Sequence, residues 1–387
     1  MSEYQYYEFQ AVDHRLTRAQ MDELRALSTR AVITPNSLTN TYHFGDFRGN
    51  PQKLMESYFD AHVYVSNFGT VRFMLRLSQG VLPDDTLARY SVDESLDWWS
   101  TDAHTILEWR VDEEPPDDFV EGEGWMARLL PIRDELVRGD YRSLYIGWLS
   151  SVSNASSKYD EEEDEDGSDD TGHREPPVPA GLGALTGAQA ALAEFLGVSI
   201  DLIAAAAEAS PAVAAKDPPR QKVDTWVAQL PEEEIRTIIA RIIQGEGSRV
   251  QTELQSRFYR SYRESKQDSS LGAGSERRTA DELLELADKK EQDRKRRVAE
   301  EKERTRHEQL AGLVPRFTEL WASVNRLAEE QSGPSYDKTC SLLVDMRDAY
   351  DQAGRRPDFD KEFTKFMERH GRRGALVRRF EKARLVP

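Results

Sequence analysis

A segment with almost no apolar residues near the middle of the chain limits how its 387 residues can fold. Residues 151–180 begin with serines, continue through an acidic run from Asp160 to Asp170 and end in prolines. Such a composition buries too little apolar surface to offset the entropy lost on ordering. The sequence therefore predicts a disordered linker with folded regions on both sides. The acidic run is interpreted as a self-repelling spacer, with a DNA mimic or a cation-binding segment as the alternative.

Residues 1–150 are rich in aromatic and β-branched residues that recur between turn formers, as in "HVYVSNFG" and "TVRFMLRLS". That pattern indicates strands. Two helices are marked by their starts, one at Thr17 and one at Asn50 followed by Pro51. The apolar residues between Leu129 and Leu149 can cover one face of a sheet. We expect an α+β domain over 1–150, with a mixed or antiparallel sheet.

The chain after the linker has the periodicity of helices. Residues 181–265 are predicted as a helical domain, with helix starts at Thr186 and Ser199. One helix after Pro231 carries an isoleucine stripe that we expect to be buried, formed by Ile235, Ile238, Ile239, Ile242 and Ile243. The predicted fold class is thus an α+β N-terminal domain followed by an all-α body of repeat-like helical hairpins that includes a long charged helix.

The long charged helix is predicted over 276–312, beginning at the Thr279 and Glu282 capping box. It contains too few apolar residues for a heptad seam, so an exposed spacer is favoured over the alternative of a coiled coil. Residues 313–387 are predicted as a C-terminal domain of helical hairpins, because short Gly and Pro breaks separate four amphipathic stretches.

Basic residues are concentrated at the C-terminal end of a chain whose net charge is -18. From Arg355 to Pro387, eleven Lys or Arg stand against five Asp or Glu. One interpretation is a helical cap with a basic polar face. The other is a docking surface for an acidic protein, including the chain's own acidic run; nucleic acid is disfavoured because the rest of the chain repels phosphate. The candidate residues are Arg372, Arg373, Arg378, Arg379 and Lys382.

A second candidate patch lies in "NTYHFGDFRGN", where His43, Asp46 and Arg48 crowd a glycine-bounded turn. Loops of this composition often bind partners. The structural alternative is a turn held by Phe44 and Phe47, with Asp46 bonding its own backbone.

Catalytic and metal-binding patterns are scarce. Cys340 is the only cysteine, which removes Cys-rich zinc patterns and internal disulfides. The one enzymatic alternative is a metal-dependent phosphodiesterase or nuclease in the N-terminal domain, with Asp84 or Asp85 near Glu108 and Arg110. We predict no cofactor and no metal. The absence of a leader and of any long apolar run predicts a cytoplasmic protein without membrane contact.

The C-terminal segment "YDKTCSLLVDMRDAYDQAGRRPDFDKEFTKFMERHGRRGALVRRFEKARL" resembles the helical tail of bacterial SWIM zinc-finger proteins. Residues 6–40, 45–60 and 185–258 resemble uncharacterised bacterial proteins. The SWIM zinc motif needs three cysteines and a histidine, so neither the metal site nor its contacts carry over to a chain with one cysteine. The resemblance implies a shared helical interaction module. The expected function is a non-catalytic interaction or adaptor protein that acts through its helical body and its basic C-terminal hairpin.

Overall fold

The computed structural model describes residues 4–92, 94–112, 121–159, 174–212, 220–266 and 277–386. The chain divides into two compact units, with the boundary between Glu291 and Gln292. The predicted fold class is confirmed, because an antiparallel sheet with covering helices precedes an all-helical body. The acidic run from Asp160 to Asp170, on which the linker prediction rests, lies outside the described residues.

The first unit is built on a seven-stranded sheet in which every neighbouring pair is antiparallel. The strands in chain order are β1 Gln5–Gln10, β2 Val32–Thr34, β3 Ser37–Tyr42, β4 Ala61–Ser66, β5 Thr70–Ser78, β6 Leu96–Ser100 and β7 His104–Asp112. Across the sheet they are ordered β2-β3-β1-β4-β5-β7-β6. Side chains alternate between the two faces along each strand, so the sheet has two differently covered surfaces.

One face of the sheet is covered by two helices, α1 Arg18–Leu27 and α2 Pro51–Ser57. Thr17 caps α1 through a reciprocal pair of hydrogen bonds with Gln20, and the Asn50 side chain caps α2 by accepting from the Lys53 N–H. Both predicted helix starts are therefore confirmed. A small core of Phe9, Leu24, Met55 and Phe59 fills the space between these helices and the sheet.

The opposite face carries the larger core. The helices that contribute to it are α3 Asp84–Tyr90, α4 Trp125–Leu129, α5 Ile132–Val137, α6 Arg142–Tyr159, α7 Gly187–Phe195 and α8 Ile200–Ala207. Trp109 fixes α6 against the sheet, because its indole N–H donates to the Ser143 carbonyl at 3.0 Å. Gly147 makes this approach possible: a Cβ there would lie 2.7 Å from the Trp109 ring.

Residues 178–206 belong to the same core as the sheet. Val178, Leu182, Leu192 and Leu202 are buried together with the sheet residues Phe73 and Trp109. Helices α7 and α8 are rich in alanine and leucine and apolar on much of their surface, which is typical of helices enclosed by neighbours. The region predicted as a separate helical domain over 181–265 therefore begins inside the core of the first unit.

The predicted burial of the isoleucine stripe is wrong. The helices here are α9 Arg220–Val227, α10 Glu232–Arg241 and α11 Gly247–Lys266, with a π-helical turn at Ile242–Glu246. Ile239, Ile242 and Ile243 are 51%, 49% and 80% exposed. Ile235 and Ile238 are half-buried. Ion pairs of Glu234 with Arg257 and of Arg241 with Glu253 hold the α10 flank against α11, and the C-terminal end of the stripe is exposed.

The second unit contains the end of α12 Ala280–Leu313, a 3-10 turn at Val314–Arg316, and four further helices. These are α13 Phe317–Glu329, α14 Gly333–Gln352, α15 Arg356–His370 and α16 Gly374–Lys382. Helices α13, α15 and α16 all pack on α14. Their shared core is aromatic, with Phe317 stacked on Tyr350 at 3.6 Å and Phe380 edge-on to Phe363 and Phe366. In α12, every side chain from 295 to 305 is exposed.

Candidate partner-binding surfaces

Helix α16 places the basic residues at the C-terminal end. Leu376 and Phe380 are completely buried and turn one side of α16 toward the aromatic core. On the helix surface, residues four apart are neighbours, so Arg378 and Lys382 lie together on the exposed side. Arg372 is exposed in the turn that precedes the helix. We call these three cations, Arg372, Arg378 and Lys382, the terminal basic surface.

The other two predicted cations, Arg379 and Arg373, are not part of this exposed group. Arg379 forms an ion pair with Asp337, donates to the Ala375 carbonyl at 2.9 Å and lies over the Tyr336 ring. Its hydrogen bond with Asp337 raises the pKa of the guanidinium above its ordinary value. Arg373 is half-buried at the start of α16. The structure thus brings three of the five predicted residues into an exposed group and engages Arg379 in an ion pair, whereas one buried guanidinium nitrogen of Arg373 has no hydrogen-bond partner among the described residues.

Most other arginines of the second unit have carboxylate partners. Ion pairs join Arg306 to Asp345 and Asp348, Arg316 to Glu319, Arg355 to Asp358, Arg356 to Asp351 and Asp360, and Arg369 to Glu329. Among the described residues, none of the three cations of the terminal basic surface has such a partner. No ion pair therefore neutralises these three cations within the part of the chain that the structure describes.

The loop between β3 and α2 contains the second predicted patch. Asp46 accepts a hydrogen bond from the Gln5 side chain at 3.0 Å, and the His43 ring lies 6.0 Å from that of Tyr4. His43 and Arg48 are both exposed. The predicted turn is held by Phe47, which is buried, whereas Phe44 is 76% exposed. The expectation that both phenylalanines hold the turn is therefore wrong for Phe44, and Asp46 bonds a strand side chain.

The residues of the enzymatic alternative are separated by the sheet. Glu108 lies on the face covered by α1 and α2, as does Arg110, because the two alternate with the core residues Leu107 and Trp109. Asp84 and Asp85 begin α3, which packs on the opposite face. Within the described ranges, no three His, Cys, Asp or Glu side chains are grouped closely enough to hold a metal ion. Burial raises the pKa of the Glu108 carboxyl.

Comparison with known proteins found no matching family model, no matching curated protein and no matching solved structure. The resemblance of the C-terminal region to the tails of SWIM zinc-finger proteins therefore stays a prediction. In the described ranges, no helix combines the length and the apolar character needed to cross a membrane.

Proposed function

We propose that the protein is a non-catalytic adaptor that binds an acidic protein partner through its terminal basic surface. One observation carries this proposal. In a unit whose arginines are mostly paired with carboxylates, Arg372, Arg378 and Lys382 are exposed and have no ion-pair partner among the described residues. Exposed cations contribute little to folding, so their grouping is better explained by binding than by stability.

The charges of the two units support an acidic protein over nucleic acid as the partner. Residues 292–387 contain 22 Lys and Arg against 17 Asp and Glu, a net charge of +5. The whole chain contains 52 Lys and Arg and 70 Asp and Glu. Residues 1–291 therefore contain 30 basic and 53 acidic residues, a net charge of -23. A duplex with dense phosphate charge is repelled by such an acidic unit, whereas a partner with a local acidic patch can engage the basic surface alone.

The proposal is tested by measuring how full-length protein binds a fluorescent oligoglutamate peptide and a short DNA duplex. The variant is Arg372→Gln/Arg378→Gln/Lys382→Gln. We expect the wild type to bind the peptide with an affinity that falls as ionic strength rises, since exposed charges are screened by salt. The variant should lose most of this binding and its salt dependence.

The matched control is Arg304→Gln/Arg316→Gln/Arg356→Gln, which removes three charges from the same unit. Each of these arginines has a carboxylate partner, so their removal should leave peptide binding nearly unchanged. Equal losses in the two triple variants would show that net charge alone attracts the peptide. Tighter binding of the duplex than of the peptide would place the protein in the nucleic-acid class.

A further inference from the structure

The sheet face covered by α1 and α2 contains a pocket next to the first residue of α2, Pro51. Its walls include Tyr7, Phe47, His62, Tyr64, Arg72 and Arg110, and its volume is about 310 Å³. We call it the sheet-face pocket. Ligand sites in proteins begin at about this size and combine apolar walls with a few polar groups.

Two arginines lie side by side in this pocket. Arg72 of β5 and Arg110 of β7 are directly opposite in the strand register, so both guanidinium groups extend from the same face. Like charges in this position destabilise a sheet unless an anion lies between them. Each of the two guanidinium groups has one neighbouring carboxylate, and that of Asp112 also lines the pocket. Glu108 approaches Arg72 at 3.5 Å without forming a hydrogen bond, and Asp112 pairs with Arg110 from the end of the strand.

Four buried polar atoms of the pocket region have no hydrogen-bond partner among the described residues. They are His62 Nε2, Arg72 Nε, Glu108 Oε1 and Arg110 Nε. Native proteins leave few buried polar atoms without a partner, and three of these four belong to residues that line the pocket. Arg72 Nε and Glu108 Oε1 lie 3.5 Å from each other, so Arg110 Nε is the cationic donor that an anion would satisfy.

His62 presents an acceptor. It is completely buried, and its Nδ1 lies 3.0 Å from the Glu8 carbonyl, which can only accept; the proton of the neutral ring is therefore on Nδ1. Burial lowers the pKa of His62 to about 3, so the ring is neutral at physiological pH. Its unpartnered Nε2 consequently carries a lone pair and can accept from an N–H or O–H group.

The aromatic wall of the pocket is held in place by polar contacts. The Tyr7 and Tyr64 hydroxyls both donate to the Gln5 side-chain oxygen, at 2.8 and 3.1 Å. The Phe47 ring lies 5.1 Å from that of Tyr7. Gly49 allows this position, because a Cβ there would lie 2.6 Å from the Phe47 ring. The wall is thus a fixed apolar surface beside two cations.

We propose that the sheet-face pocket binds a small organic anion. Arg72 and Arg110 hold its carboxylate or phosphate group, and its flat apolar body lies against Tyr7 and Phe47. A guanidinium is suited to both oxyanions, because its planar fork donates two parallel hydrogen bonds. This inference is independent of the partner proposed for the terminal basic surface, since every residue involved belongs to the first unit.

The test uses full-length protein with benzoate, inorganic phosphate and benzamide, the last being a neutral molecule of the shape of benzoate. Binding is followed by ligand-observed NMR for the aromatic probes and by thermal shift for all three. We expect benzoate or phosphate to bind and benzamide not to. Arg72→Gln and Arg110→Gln should each weaken binding by about tenfold or more, as loss of a charged hydrogen-bond donor does. Arg89→Gln, on the exposed side of α3, is the control and should bind like the wild type.

A second variant covers the case in which Arg72→Gln does not fold. Arg72→Lys keeps the charge but loses the planar fork, so it should fold and bind more weakly than the wild type. The proposal is overturned if neither benzoate nor phosphate binds the wild type, if benzamide binds as well as benzoate, or if Arg72→Lys and the folded Gln variants keep full affinity.

Discussion

The two units differ in where their ion pairs lie, although both have pairs on the surface. The first unit, with a net charge of -23, encloses ion pairs: Asp60 with Arg76 at 2.8 Å and Glu175 with Arg278 at 2.6 Å. The second unit, at +5, has an aromatic core and keeps its ion pairs on the surface, mostly between residues three or four apart. A buried pair fixes the geometry of the chain around it, whereas a surface pair contributes little and leaves charge available to partners.

The buried ion pair of Asp60 and Arg76 connects several elements of the first unit. Asp60 accepts from Arg76 and from the backbone N–H groups of Val12 and Asp13, and Arg76 also donates to the Met55 carbonyl. These contacts tie together the residue before β4, the C-terminal part of β5, the loop after β1 and helix α2. The charges of Asp60 and Arg76 are buried and have hydrogen-bond partners within the protein. This distinguishes the pair from both the terminal basic surface and the sheet-face pocket.

The largest effect is expected from Phe380→Ala in the second unit. Phe380 is completely buried between Phe363 and Phe366, so its truncation should cost about 3 to 5 kcal/mol of unfolding free energy. Hydrogen exchange measured by mass spectrometry should show the loss of protection within residues 292–387. A loss of protection spread equally over 1–291 would show that the two units do not unfold separately.

The next effect is expected from Asp60→Asn in the first unit, which leaves Arg76 buried without a carboxylate. Removing one member of a buried pair should cost about 3 kcal/mol. Asp351→Asn in the second unit breaks the surface pair with Arg356 and should cost less than about 1 kcal/mol. Urea titration gives the unfolding free energy of both variants. Equal losses of stability would contradict the expectation that the enclosed pair contributes more than the surface pair.

Acid should destabilise the first unit through His62. Its pKa is about 3 when folded and about 6.5 when unfolded, so the unfolded state binds the additional proton. Stability is then lost as the pH falls from 6.5 toward 3, by about 1.4 kcal/mol per pH unit for one proton. Burial also lowers the pKa of His370 in the second unit. The measurement is therefore how steeply the unfolding free energy falls as the pH is lowered in the wild type and in His62→Gln. The slope should be shallower in the variant.

The smallest effect is expected from Ile243→Ser. Ile243 is 80% exposed, so this replacement should change the unfolding free energy by less than about 0.5 kcal/mol. A cost of 2 kcal/mol or more, as is typical of a buried isoleucine, would mean that the stripe is covered.

Local features of the fold could be predicted from the sequence, and long-range ones could not. The helix starts at Thr17, Asn50, Thr186 and Ser199 are confirmed because a cap depends on residues within one turn. The prediction that the isoleucine stripe is buried is wrong, because periodicity shows that a helix face is apolar but does not show what covers that face. Arg72 and Arg110 are 38 positions apart in the sequence, and only the strand register makes them neighbours.

Reversing the charges of the terminal basic surface is the sharpest test of whether an acidic partner binds there. We would measure oligoglutamate and oligolysine binding to Arg372→Glu/Arg378→Glu/Lys382→Glu in the full chain, with the unfolding free energy determined in the same buffer. We predict that oligoglutamate binding disappears and oligolysine binding increases, while the unfolding free energy changes by less than about 1 kcal/mol. Undiminished oligoglutamate binding by this folded variant would contradict the proposal that the surface is where an acidic partner docks.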